Sequence, residues 1–337
     1  MKKLFTHLAL ISAFSINAQI STNGTNNSGT YSSALGYQTT ASGNYSTAMG
    51  YQTTASESYC TAMGYVTTAS GSTSTSMGVN TTASGDGSTA MGNLTIAGGN
   101  NSTAMGASTL AIGEVSTAMG YATTASGSSS VAMGLSTTAN GNNSTAMGIS
   151  TTASGGVSTA SGRSTIASDY GSTVIGQYNS SGSSVTNSAT TYSTSNTAFV
   201  IGNGTLGNLS DAFKVMFNGN TTVSNNLTVI GDVEVQSDAR LKSNIVSLGS
   251  TLSKLLQMDG KSYKVKGKQK IGVLAQEIQE LFPELVSKGN NGILSVNYQG
   301  LVPVLINALK EQQSEINRLK ELEKRIERLE KLAANID

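Results

Sequence analysis

Hydrophobic and polar positions alternate in short bursts along residues 30–176, and the bursts recur every fourteen residues. One period, Ser88-Thr89-Ala90-Met91-Gly92-Asn93-Leu94-Thr95-Ile96-Ala97-Gly98-Gly99-Asn100-Asn101, holds two strand-like stretches, each followed by Gly or a turn-former. Successive side chains of a strand point to opposite faces. Ser88 and Ala90 therefore share one face, and Thr89 and Met91 share the other. The Ala column recurs at Ala48, Ala62, Ala104, Ala118, Ala132 and Ala146, where small side chains allow close backbone approach. A Met column runs at the same spacing from Met49 to Met147, and its flexible chains suit the filling of a narrow interior. Gly closes the first stretch in every period from Gly36 to Gly176, with Ser four residues earlier each time except at Cys60. These glycines are expected to permit positive φ at the corners.

So small a unit cannot bury a core alone, so the pattern predicts a mainly β rod. Two short strands per turn make a thin β-roll, with coils about 4.8 Å apart and a length on the order of 50 Å. Such a roll buries little area per residue, and association of three copies would cover one face. Abundant Ser, Thr, Gly and Asn also fit low-complexity disorder, but the strict period and the two columns argue against it. S-x-A-x-G at fourteen-residue spacing resembles the head repeat of YadA-like trimeric adhesins. The resemblance covers about residues 30–176 and implies a trimeric left-handed parallel β-roll on a cell or particle surface.

Residues 177–198 lose the period and read as a loop or linker. Together with 199–236 they form an expected linker and β-rich stalk. Strands are expected at Phe199–Ile201, 212–217, 221–223, 227–230 and 233–235, with tight reversals at Asn203-Gly204 and Asn218-Gly219. At 237 the composition becomes charged and amphipathic. Lys264, Lys266, Lys268 and Lys270 are expected to line one face of a solvated strand. Leu274, Ile278 and Leu281 share a helical packing face with Ala275. Val302, Leu305, Leu309, Gln312, Ile316 and Leu319 alternate by three and four, and a step to Leu322 resets the register toward Ile326, Leu329 and Ala333. This predicts a coiled coil over 302–336, following an α+β domain over 237–312. Spacing alone does not separate a dimer from a trimer.

Charge is balanced, with 20 Lys plus Arg against 19 Asp plus Glu, which gives no general case for a nucleic-acid partner. Residues 1–18 read as a secretory signal peptide: Lys2 and Lys3, a short apolar stretch from Leu8 to Ile16, and cleavage after Ala18. The expectation is a secreted or cell-surface protein with no transmembrane anchor after signal removal. Cleavage also removes His7, the only His, and leaves one Cys, Cys60. That excludes a Ser-His-Asp triad, a His-rich metal site and a disulfide within one chain, and no metal or cofactor is expected.

A serine nucleophile without His needs another base, and a neutral Lys can serve. Ser237 and Lys242, five residues apart, could meet across a turn. Lys is ordinarily protonated at neutral pH, and bringing one to a pKa of ~7 takes roughly 4–5 kcal/mol of desolvation or cationic repulsion. The run Ser237-Asp238-Ala239-Arg240-Leu241-Lys242-Ser243-Asn244-Ile245 is followed by Gly272 to Glu277, Pro283 to Val286, Val296-Asn297-Tyr298 and Leu301 to Ala308. In this order they resemble the intramolecular chaperone domain of phage endosialidase tailspikes. The resemblance covers about residues 237–315. It implies trimerisation, assisted folding of the upstream β-structure, and release by a Ser-Lys dyad. Carried over by position, Ser237 is the nucleophile, Lys242 its base, and Gln236–Ser237 the scissile bond. Asp238 and Arg240 match as positioning residues, and Glu277 matches without a derivable role.

The leading expectation is a trimeric adhesin-like surface fibre that cuts off its own chaperone and is a peptidase toward itself alone. The alternatives are a non-catalytic structural adhesin with an uncleaved trimerisation domain, and a phage-derived tail fibre component. The rod's partner, a surface receptor or a glycan, is left open.

Overall fold

The computed structural model describes residues 23–289 and 292–334, and the expected signal peptide lies outside them. The chain divides into two compact units, one ending at Ile230 and the other beginning at Gly231.

The first unit is a parallel β-solenoid of about 11 coils. The long strands, from Ser33–Tyr37 to Thr173–Gln177, stack in register. Met91 lies against Met105 and Gly92 against Gly106, so each residue meets its counterpart one period on. The short strands, from Asn26–Asn27 to Ile166–Ala167, form a second, 11-stranded parallel sheet.

The interior is narrower than the Met column can use. Ala48, Ala90 and Ala146 are fully buried, alongside columns of Ser such as Ser88 and of Thr such as Thr95. The Met column stands on the outer face instead, with Met49, Met63 and Met105 exposed. Between the two sheets of a coil the buried side chains are almost all Ala, Ser and Thr, with Cys60 in one coil and Val174 in the last. Among the described residues, sixteen buried hydroxyl oxygens make no hydrogen bond. At one coil Ser76 replaces Ala, and its Oγ pairs with Thr81 Oγ1 at 2.7 Å.

The glycines do not make the corners. Gly92 is the fourth residue of its long strand, at φ 127°, and a Cβ there would stand 2.0 Å from the Gly106 carbonyl oxygen. Contact between coils, together with this φ, excludes any side chain. Most corners are turned by non-glycine residues in the left-handed region, including Tyr45 (57°), Gln52 (50°) and β-branched Val115 (57°), with Gly87 and Gly171 taking the place in two coils. Backbone bonds between successive coils hold them there, as in Tyr45 N–H to Thr30 O at 2.8 Å.

Past the last coil, Thr197–Asn203 extends the long-strand sheet in parallel, with Val200 beside Val174. Asp211–Met216 and Thr221–Val223 then return antiparallel. Of the expected stalk strands, 227–230 and 233–235 do not form; they have no pairing partner among the described residues. The loop between Gln177 and Thr197 is tied down by side chains. Asp169, fully buried, accepts the Thr186 N–H at 2.6 Å and the Thr197 N–H at 2.7 Å. Asn179 exchanges hydrogen bonds with Ile166, satisfying backbone groups where the short-strand sheet ends.

The second unit is small and thinly cored. Ile278, Phe282 and Val304 are its buried centre, packed by Leu255, Met258 and Leu285 among others. A hairpin pairs Lys261–Val265 with Lys268–Gly272, and a second antiparallel pair joins Val286–Lys288 to Leu294–Val296. Lys266 and Gly267 turn the hairpin with positive φ (49° and 77°), as a two-residue loop requires. The four lysines therefore do not share one face. Lys264 stands opposite Gln269, while Lys268 and Lys270 lie on the other face with Tyr263. The chain closes with a 33-residue helix, Leu301–Ala333, whose first turn tolerates Pro303. Its seam residues Leu305, Leu309, Ile316 and Leu319 are exposed in the single chain.

Candidate catalytic site at the 236–237 junction

The second unit opens in extended backbone and then makes one 3-10 turn, Ala239–Leu241. Asp238 caps it: its Oδ1 accepts the Arg240 N–H at 2.8 Å, as an N-cap carboxylate does. Lys242 N–H closes the turn on Ala239 O at 3.1 Å. This single turn folds residue 242 back over residue 237. Lys242 Nζ donates to Ser237 Oγ at 2.6 Å and to the Ser237 carbonyl oxygen at 3.0 Å.

Asp238 and Arg240 turn to each other rather than to the pair. Arg240 Nη2 lies 2.7 Å from Asp238 Oδ2, and Nε reaches both carboxylate oxygens. This hydrogen bonding holds the Asp238 carboxyl below the usual range and raises the Arg240 guanidinium. The ion pair is exposed and adds little stability; its effect is to fix the turn. Gln236, Ser237, Asp238, Arg240 and Leu241 line a cavity of about 470 Å³. Glu277 pairs with Lys261 at 3.3 Å.

A hydroxyl within 2.6 Å of an amine is placed for proton transfer. Both side chains are exposed in the single chain. Acyl transfer also needs donors for an oxyanion, and no hydrogen bond reaches the Gln236 carbonyl oxygen among the described residues.

Sequence reasoning missed one structural group elsewhere in this unit. Glu311, on the long helix, binds Ser250 and Thr251. A lone Glu in a helix of interleaved acids and bases carries no signal of that bond.

Comparison with known proteins agrees with this division. The chain matches the YadA head domain repeat in seven segments, several of them overlapping, between residues 28 and 156. Over 96 residues, a quarter of this chain, it is 34% identical to the long tail fiber protein Gp37 of Escherichia phage AR1. The match spans 9% of that protein's length. Residues 237–287, beginning at Ser237 itself, match the family model described as chaperone of endosialidase. The chain thus joins two recognised modules, YadA head repeats in its solenoid and a chaperone-of-endosialidase segment immediately after the 236–237 bond.

Proposed function

We propose that this chain is an exported, trimeric, adhesin-like fibre whose C-terminal unit drives trimer folding and then cuts itself off at Gln236–Ser237. The observation that carries the reading is the 2.6 Å contact between Lys242 Nζ and Ser237 Oγ, at the first residue of the chaperone match. Ser237 Oγ attacks the Gln236 carbonyl carbon while neutral Lys242 takes the hydroxyl proton. The C–N bond breaks, the proton passes to the leaving Ser237 nitrogen, and an ester joins Gln236 to the Ser237 side chain. Water then hydrolyses the ester, giving one fragment ending at Gln236 and another beginning at Ser237.

Trimer formation supplies what a single chain lacks. The outward Met column and the exposed helix seam are apolar surfaces suited to identical copies. Docking would bury the junction, favour the neutral amine and bring oxyanion donors from neighbouring chains. Cleavage would then report correct assembly. Export rests on the N-terminal segment, and among the described residues no helix is long and apolar enough to cross a membrane.

Intact-mass measurement of the expressed wild type and Ser237→Ala chains tests the reading. Wild type is expected to yield the two fragments and Ser237→Ala only full-length chain; cutting of the variant at 236–237 would refute it. The second reading, an uncleaved structural trimerisation domain, is favoured by the solvent exposure of the dyad. Intact wild type in a stable trimer would select it.

A further inference from the structure

In several coils the turn from short strand to long strand is held by a side chain of the following coil. Asn44 Oδ1 accepts the Thr30 N–H at 3.0 Å, Asp86 Oδ1 that of Ser72 at 2.9 Å, and Asn142 Oδ1 that of Ser128 at 3.1 Å. One period beyond Asn142 stands Gly156, which has no side chain to accept with. The Asn142 N–H has no hydrogen-bond partner among the described residues.

The next residue of this column is Tyr170, its one aromatic. A Cβ on Gly156 would lie 3.2 Å from the Tyr170 ring, so the ring borders the space that a side chain would fill. The loop beyond the last coil closes another side. Gly156 N–H donates to Ala189 O at 2.7 Å, and Tyr170 N–H to Ser188 O at 2.9 Å. Asn196 fixes the loop in turn, accepting the Ser188 N–H and donating to the Ser188 carbonyl oxygen. Together these parts enclose a cavity of about 380 Å³, within the range of small-molecule sites. No residue of a long strand lines it, so the outer face that carries the Met column is not part of it.

The amides at this cavity are oriented with their donors free. Asn140 Oδ1 accepts the Ser126 hydroxyl at 2.7 Å and Asn142 Oδ1 is taken by Ser128, which leaves both Nδ2 groups and the Asn142 N–H for a ligand's oxygens. No Lys, Arg, Asp or Glu lines the cavity, so an ion would find no countercharge there. The Tyr170 ring offers an apolar face to sugar C–H groups. Val157 and Ala189 supply the aliphatic part of the lining, which suits a methyl group. A neutral ring bearing a carbonyl acceptor and a methyl matches this set.

We propose that this cavity binds a neutral acetamido sugar, its ring against Tyr170 and its acetamido carbonyl on the Asn142 N–H. The proposal gives a ligand class to the adhesin-like reading on which it rests, and it is independent of self-cleavage. The full-length Ser237→Ala chain is titrated with N-acetylglucosamine, N-acetylgalactosamine, the parent hexoses and glucuronate, followed by saturation-transfer NMR and calorimetry. At least one acetamido sugar should bind, with its methyl strongly saturated, about tenfold more tightly than its parent hexose, and with little change between about 50 and 200 mM salt. Tyr170→Ala should weaken binding about tenfold, whereas Tyr170→Phe, which keeps the ring, should retain most of it. Gly156→Asn should abolish binding by filling the cavity and giving the Asn142 N–H an acceptor.

Unchanged binding by a folded Tyr170→Ala chain, tighter salt-sensitive binding of glucuronate, or no acetamido sugar bound by the folded wild-type rod would each overturn the proposal. So would loss of the trimer in Tyr170→Ala, which would make this corner a contact between copies. Sedimentation of the titrated sample separates the two readings. A trimer that binds no sugar defeats this proposal alone, whereas a monomer that binds one upholds it and defeats the trimeric fibre, because the cavity is built within a single chain.

Discussion

Glu311 Oε2 accepts a hydrogen bond from Ser250 Oγ at 2.6 Å across 61 residues of chain. Its other oxygen accepts the Thr251 N–H at 2.5 Å, so a side chain of the long helix caps the short helix Leu252–Leu255. Thr251, which stands at the N-cap position, makes no cap bond with its own side chain and donates instead to Val304 O at 3.0 Å. The Ser250 hydroxyl, followed by the Thr251 N–H, holds the Glu311 carboxyl below the usual carboxylate range. A lowered folded-state pKa contributes stability above the unfolded value, about 4.3, and loses it as pH falls through the folded value. Glu311→Gln should therefore lower the melting temperature of the C-terminal unit at neutral pH and flatten its acid dependence. Thermal unfolding at neutral and acid pH checks this; equal losses at both would exclude the carboxylate charge as the source.

Lys242→Arg keeps the positive charge but cannot supply a neutral base. Cleavage of the assembled chain should slow roughly 10²–10⁴-fold, with oligomeric state unchanged. Asp238→Asn retains an acceptor for the Arg240 N–H and should cut faster than Asp238→Ala, which loses both the cap and the ion pair. Gel time courses after refolding read all three.

Two substitutions in the solenoid should act in opposite directions. Gly106→Ala places a Cβ 2.0 Å from the Gly120 carbonyl oxygen, at φ 125°. It should cost more than about 3 kcal/mol and open the rod locally to protease. Val115→Gly relieves a β-branched residue held at φ 57°. It should gain about 1 kcal/mol, seen as a higher denaturant midpoint.

The interior hydroxyls make a further test. Thr109 Oγ1 is buried without a hydrogen-bond partner among the described residues, so Thr109→Val, of the same shape, should stabilise by about 1 kcal/mol. Ser76→Ala breaks the Ser76–Thr81 bond and should destabilise by a similar amount.

Cys60 takes the Ser place in the buried column, with Sγ donating to Glu57 O at 2.8 Å. Burial pushes its thiol pKa up. A thiol reagent should therefore leave the native rod unlabelled and modify it fully in denaturant. Rapid native labelling would place Cys60 outside the core.

The repeat's period, its two strands and its Ala column could be read directly from the chain, because stacking forces residue i against i+14 at every coil. Which column faces inward was harder. Alternation separates Ala90 from Met91 but does not fix the gap between the sheets, and that gap excludes Met. The glycines misled for a related reason: Gly92 is required by a carbonyl in the next coil, a contact that local pattern does not contain. The Lys242–Ser237 approach was suggested by five-residue spacing; Asp238, matched only as a positioning residue, caps the turn that makes it, which the sequence reading did not foresee. Glu311 and the Asp169 tether act over long separations between unremarkable residues, where sequence offers no periodicity to follow.

Both members of the Ser237–Lys242 pair lie on the C-terminal side of the 236–237 bond. Were that bond cut, they would depart with the liberated piece. The shaft left behind would keep neither reagent and no comparable bond to break, so its length would be decided once and never revised.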